Sequence, residues 1–174
     1  MKLMLLVALL TVVYVVLSVL LSSDKSTRVM PTQIVDISGY RPGESRIVLW
    51  DGRPVLIYRR TDADIAALQI EDQRLLDAQS SDSRQPSWAH NANRSREPEW
   101  FVSIGVGTDF SCPVKDIPAS PDQFMDRPWQ GGFADDCRGS RYDRAGRVYR
   151  GQYADENLIV PQYIRKADVL ILGG

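Results

Sequence analysis

The sequence predicts a mainly β protein: one antiparallel β sandwich carried behind a single N-terminal transmembrane helix. Three observations support this. Residues Leu3 to Leu21 are almost wholly apolar, and at about 1.5 Å per residue such a run crosses about 30 Å, the thickness of a bilayer core. From Ile34 onward the chain breaks into short runs rich in β-branched and aromatic residues, separated by Gly and Pro turns. A length of 174 residues is enough for one membrane segment and one core of ordinary size.

Residues 1–23 read as an uncleaved anchor. A signal peptide would end in a small-x-small cleavage site, and Leu20 and Leu21 fit that pattern badly. Residues 24–33 are polar, lack apolar periodicity and contain Pro31, which predicts an extended tether. The head is then 34–174. It opens with the runs Ile34–Ile37 and Arg46–Trp50, and Asp51-Gly52 marks a tight hairpin into Arg53–Arg60. Thr61 predicts an N-cap, with Asp62 and Asp64 in the first turn of a helix over 62–69 that resumes over 72–78. Residues 79–97 are a loop by composition, and 99–106, 147–149, 158–160 and 169–172 supply further short strands.

The charge balance is 21 basic against 22 acidic side chains, a net of −1. The signs are mixed along the chain, so no basic stripe exists to neutralise phosphates, and nucleic acid is excluded as a partner. The only histidine, His90, lies in the polar loop, where a lone imidazole is usually just solvated. Trp88 and Trp100 read as buried aromatics, with anchoring of a partner protein as the other use of a loop aromatic. A hydrolytic triad finds no converging Ser, His and Asp set. The two cysteines do not form a Cys-x-x-Cys redox pair. Asp109, Asp135 and Asp136 lack the regular spacing of a calcium loop.

Those cysteines lie in two segments, Gly107-Thr108-Asp109-Phe110-Ser111-Cys112 and Asp135-Asp136-Cys137-Arg138-Gly139-Ser140. The second continues as Arg141-Tyr142-Asp143-Arg144-Ala145-Gly146-Arg147-Val148. Together with the tryptophan-to-arginine run at the start of the head, they resemble the Rieske iron–sulfur subunit of ubiquinol:cytochrome c reductase over nearly the whole chain. The resemblance implies a Rieske-like sandwich with a small cluster-binding subdomain at about 105–150. In that family each of two loops gives one cysteine and one histidine to a two-iron cluster, and a disulfide joins the loops. On this chain the ligand positions fall on Gly107, Asp109, Asp135 and Arg138, and none is a thiol or an imidazole. The disulfide positions are Cys112 and Cys137.

The resemblance therefore implies a degenerate form, with no 2Fe-2S cluster, no other cofactor, no bound metal and no catalytic residue. The histidine positions are neighbours in the family, so Asp109 and Arg138 would face each other, either as a carboxylate–guanidinium pair or as two independently solvated charges. Ser140 and Tyr142 match the serine and tyrosine that bond to the family's cluster, and imply retained loop hydrogen bonds. A disulfide implies an oxidising compartment, hence a single-pass protein of a bacterial inner membrane with its head in the periplasm. The function implied is a non-catalytic accessory subunit of a respiratory complex, a quinol:cytochrome c reductase or a terminal cytochrome oxidase. Its partners would be integral membrane subunits and the lipid bilayer. Two alternatives remain open: an electron carrier with unconventional ligands, and an assembly or regulatory factor occupying the Rieske docking site.

Overall fold

The computed structural model describes residues 2–21, 31–70 and 72–173, and within the first helix the side chains of Met4 and of 6–18. The chain forms two compact units, Met1–Met30 and Pro31–Gly174. The residues 22–30, which hold most of the expected tether, lie outside the described residues.

The first unit is the helix α1 (Lys2–Leu21), 20 residues long. Its described leucines and valines are about half exposed or more, on every side, the pattern of a helix with no polar face. Thr11 donates its hydroxyl to the carbonyls of Val7 and Ala8, and Ser18 to that of Val15, so these hydroxyls are satisfied within the helix. Among the described residues no helix is found long and apolar enough to cross a membrane.

The second unit begins with β1 (Gln33–Asp36) and the hairpin β2 (Ser45–Trp50) and β3 (Arg53–Arg59). Asp51 and Gly52 both have positive φ, 47° and 76°, as a two-residue turn between right-twisted strands requires. Val55, Leu56, Ile57 and Tyr58 are all buried: β3 is the middle strand of its sheet and is covered on both faces, so its sequence is continuously apolar. The short helix α2 (Asp62–Leu68) starts at a capping box: the Thr61 hydroxyl accepts from the Asp64 amide and the Asp64 carboxylate accepts from the Thr61 amide. It does not resume at 72–78 as the sequence suggests. Those residues give their backbone to a distant segment instead, with the Leu76 amide on the Val148 carbonyl and the Arg150 amide on that of Arg74.

After β4 (Trp100–Ile104) come strands that composition did not reveal: β5 (Val114–Ile117), β6 (Ser120–Phe124), β7 (Arg127–Trp129), β8 (Gly132–Asp135) and β9 (Arg141–Tyr142). β6 reads Ser-Pro-Asp-Gln-Phe, with no apolar alternation, and its turn to β7 uses Met125 and Asp126 at positive φ in place of glycine. Of the strands expected at 147–149 and 158–160, only isolated bridges and single bonds form, such as the Leu158 amide on the Gly146 carbonyl. The chain closes with β10 (Tyr163–Lys166) and β11 (Val169–Leu172).

All strand pairs are antiparallel, in the orders β1-β11-β10, β2-β3-β4, β5-β8-β9 and β6-β7. The head is thus mainly β, built of antiparallel sheets as expected. Its core joins the sheet β2-β3-β4 to the third sheet, β5-β8-β9: Phe133 of β8 stacks on Phe101 of β4 and meets Tyr58 of β3 edge-on. Buried arginines hold the long loop 79–97 against this core. The Arg94 guanidinium is wholly buried and donates to the carbonyls of Ala145, Gly146 and Leu158 and to Gln85 Oε1.

Candidate functional site: two loops joined by a disulfide

Two loops meet at one end of the third sheet. The first, between β4 and β5, doubles back on itself: the Gly107 amide donates to the Cys112 carbonyl and the Val114 amide to that of Gly105. The second follows β8 and is closed by the Asp135 amide on the Ser140 carbonyl. The Asp136 amide reaches across to the Pro113 carbonyl, and Cys112 and Cys137 form the disulfide with their Cα atoms 5.9 Å apart.

Asp135 organises the second loop. Its Oδ1 accepts from the amides of Cys137 (3.0 Å) and Arg138 (2.8 Å), and its Oδ2 from that of Ser140 (2.7 Å). Burial raises its pKa, but the Arg138 amide, the Ser140 hydroxyl and the amides of Ser140 and Cys137 together outweigh burial and hold it below the ordinary carboxylate value. Gly139 at φ 69° lets the chain turn tightly enough for the Ser140 amide to point back.

Gly107 faces Asp135. A Cβ on it would lie 3.1 Å from Asp135 Cβ and 3.4 Å from both Asp109 Oδ1 and the Tyr142 hydroxyl. Positions 107, 109 and 135 therefore converge. Both carboxylate oxygens of Asp109 are buried there without a hydrogen-bond partner. The Tyr142 hydroxyl accepts from the Thr108 amide, and because the Thr108 hydroxyl donates to the Glu156 carbonyl, Tyr142 donates to Thr108 Oγ1. Burial raises the pKa of Tyr142, the bonds from Thr108 oppose this, and Asp135 and Asp109 add to the rise. Ser140 Oγ accepts from the Ala154 amide and ties in the turn 151–154. Both residues make the loop hydrogen bonds expected of them.

Arg138 goes elsewhere, and the ion pair with Asp109 does not form. The guanidinium carbon lies 4.2 Å from the ring centre of Phe110 and 4.5 Å from that of Tyr153, with both rings exposed. The two rings hold the cation at the surface, while Asp109 turns inward beside Gly107. Phe110 and Tyr153 were not marked in the sequence, although an aromatic two residues before Cys112 was a signal available there.

The donors do not fit a two-iron cluster. Position 107 has no side chain, the Asp135 carboxylate is committed to three amides, and Arg138 is a permanent cation. Only the Asp109 carboxylate is left. Among the described residues, no three His, Cys, Asp or Glu side chains gather as a metal ion would need. Elsewhere, exposed His90 borders a small cleft of about 130 Å³ with Leu68, Ile70 and Arg147. Trp88 packs on Tyr163, and Trp100 is buried. A larger cleft of about 480 Å³ lies between α2 and residues that include Pro118, Gly131 and Arg144. Its arginines are each paired: Arg144 with Asp116 (2.7 Å), Arg147 with Asp143 (2.7 Å) and Arg74 with Asp72 (2.6 Å).

No family profile matches the chain. It is similar to the ubiquinol-cytochrome c reductase iron-sulfur subunit of Allochromatium vinosum, with 37% identity over 139 residues, 80% of this chain and 67% of that protein. The mitochondrial Rieske subunits of the cytochrome b-c1 complex from Solanum tuberosum and Zea mays are each 36% identical over 143 residues, 82% of this chain. The chain spans about half the length of these plant relatives, 47% and 45%. A chain of a hyperthermophilic respiratory Complex III aligns with 94% of it and 91% of its own length, at 18% identity and a TM-score of 0.48. On the first of these likenesses, the chain belongs to the family of Rieske iron–sulfur subunits of ubiquinol-cytochrome c reductase.

Proposed function

We propose that this chain is a cluster-free accessory subunit of a respiratory membrane complex, either a quinol:cytochrome c reductase or a terminal cytochrome oxidase, and that it neither catalyses a reaction nor carries electrons. Family membership supports the kind of complex, since the relatives are named as subunits of ubiquinol-cytochrome c reductase and of the cytochrome b-c1 complex. The observation that carries the cluster-free reading is the fate of the four ligand positions. Gly107 has no donor, Asp135 spends its carboxylate on three amides, and Arg138 packs against two aromatic rings. One remaining carboxylate cannot replace two thiolates and two imidazoles.

The apolar α1 serves as the anchor in this reading, residues 24–33 as the tether and 34–174 as the head, with its degenerate subdomain at about 105–150. The disulfide Cys112–Cys137 supports a head facing an oxidising space, the periplasm of a bacterial inner membrane. Integral subunits of the complex and the bilayer are the partners.

The test is isolation from native membranes in mild detergent, with subunit composition, iron content and electron paramagnetic resonance measured on one sample. Stoichiometric cytochrome or oxidase subunits, with no Rieske signal following this chain, are the expected result. A Rieske signal that does follow this chain would show it to be an electron carrier. Recovery without respiratory subunits, or only with traces of them, would remove the subunit role.

A further inference from the structure

We propose that Phe110, Arg138 and Tyr153 form a docking face for a carboxylate set among apolar side chains on another protein of the membrane complex; only the identity of that partner rests on the function proposed above. The three residues come from three separate stretches of chain and meet at the disulfide end of the head. The guanidinium carbon is 4.2 Å from one ring centre and 4.5 Å from the other. Both rings remain exposed, Phe110 at 63% and Tyr153 at 67%.

Charge complementarity selects the partner. Among the described residues, the Arg138 guanidinium makes no ion pair and no hydrogen bond, so all five of its N–H donors are unspent. The acids of the two loops are turned to other uses: Asp135 holds three amides, Asp136 pairs with Lys115 at 2.7 Å, and Asp109 is turned inside. A guanidinium packed against two rings with its donors unspent offers a planar fork, the shape that a carboxylate fills with two parallel bonds. The rings on either side demand apolar contact around that acid. A phosphate-rich surface, lipid or nucleic acid, needs several basic groups, and Lys115 at the start of the third sheet is already paired with Asp136.

The face is also prepared in advance. Its loops are joined by the disulfide, and the Arg138 amide is fixed by Asp135. Binding therefore pays little for ordering the loops. Arginine and aromatic residues clustered in this way are the types that dominate binding energy in protein interfaces.

The experiment uses the full chain in native membranes. One arm compares wild type with Arg138→Ala, Arg138→Glu and Arg138→Lys by recovery of respiratory subunits, alongside the melting temperature of each variant. The other places the photo-crosslinking residue p-benzoylphenylalanine at position 110. Expected are a loss of recovery of about tenfold or more for Ala and Glu, partial recovery for Lys, which keeps the charge but not the fork, and unchanged melting. The crosslink should map to a peptide of another protein containing Asp or Glu. Three results would overturn the proposal: recovery of Arg138→Glu like wild type, losses that track a fall in melting temperature, or a crosslink absent or confined to a second copy of this chain. If wild type brings down no respiratory subunits, the subunit role fails alone, and a crosslink to an acidic peptide of another membrane protein still upholds the docking face.

Discussion

Asp135 gives the second loop its shape by accepting three amide hydrogens on one carboxylate. Asp135→Ala leaves three amides of a tight loop without their acceptor, and is expected to cost about 2–4 kcal/mol in urea denaturation. The pH dependence follows from the direction of its pKa, which is below the ordinary 3.8 when folded. Its contribution is complete once the pH is well above 3.8 and is lost as the pH falls through the lower folded value. The urea midpoint of Asp135→Asn should accordingly depend less on pH than that of wild type below about pH 4. Arg94 is a second residue of this kind. It reaches carbonyls 51 to 64 residues away in the sequence, and Arg94→Met should destabilise the head by about 3–5 kcal/mol. Arg94→Lys should recover little of that, because an ammonium cannot reproduce the guanidinium's spread of donors.

The two loops work as one element because the disulfide and the bond from the Asp136 amide to the Pro113 carbonyl join them. Cys112 and Cys137 are 25 residues apart. Closing a loop of that length is worth about 3–4 kcal/mol in chain entropy, so Cys112→Ala with Cys137→Ala should lower the denaturation free energy by about that amount. Reduction with a thiol should do the same. The turn after β9 depends on Gly146, at φ 68°, where a Cβ would come 2.5 Å from the Phe101 ring. Gly146→Ala combines a left-handed backbone with a steric clash against the core, and should cost about 2–4 kcal/mol by thermal melting. Among the strands, those with apolar alternation or a continuous apolar run (β1 to β4 and β11) were legible in the sequence, and so was the Thr61 N-cap of α2. β6 and β7 were not, because a polar hairpin with Pro at two positions and a turn without glycine carries no periodic signal. The segment 72–78 has helical composition, but its backbone is taken by 148–150.

At the scale of the whole molecule, the chain is an apolar helix and a β head, two units that can be tested separately. If α1 is the anchor, the full chain should stay with the membrane pellet after alkaline carbonate washing. A chain lacking residues 2–21 should appear in the soluble fraction with an unchanged melting temperature for the head. The same head, grown with ample iron, should show no Rieske absorbance or paramagnetic signal, and a chelator should leave its melting temperature where it was.

The sequence by itself determined the family, the mainly β class, the position of both loops, the cysteine pair and the absence of a thiol or imidazole at each ligand position. The class follows from short-range patterning, and the loops, the cysteine pair and the ligand positions from the resemblance of the two segments to the Rieske subunits. Only the tertiary structure decided what each replaced residue does. Asp109 and Arg138 were expected to face each other, as an ion pair or as two separately solvated charges, yet the Phe110 and Tyr153 rings hold the cation outside while the carboxylate lies within. The roles of Asp135 and Arg94 were hidden for the same physical reason. A carboxylate's choice among local amides, and a guanidinium's choice of carbonyls more than fifty residues away, are settled by burial and by which partners the fold brings within hydrogen-bond reach.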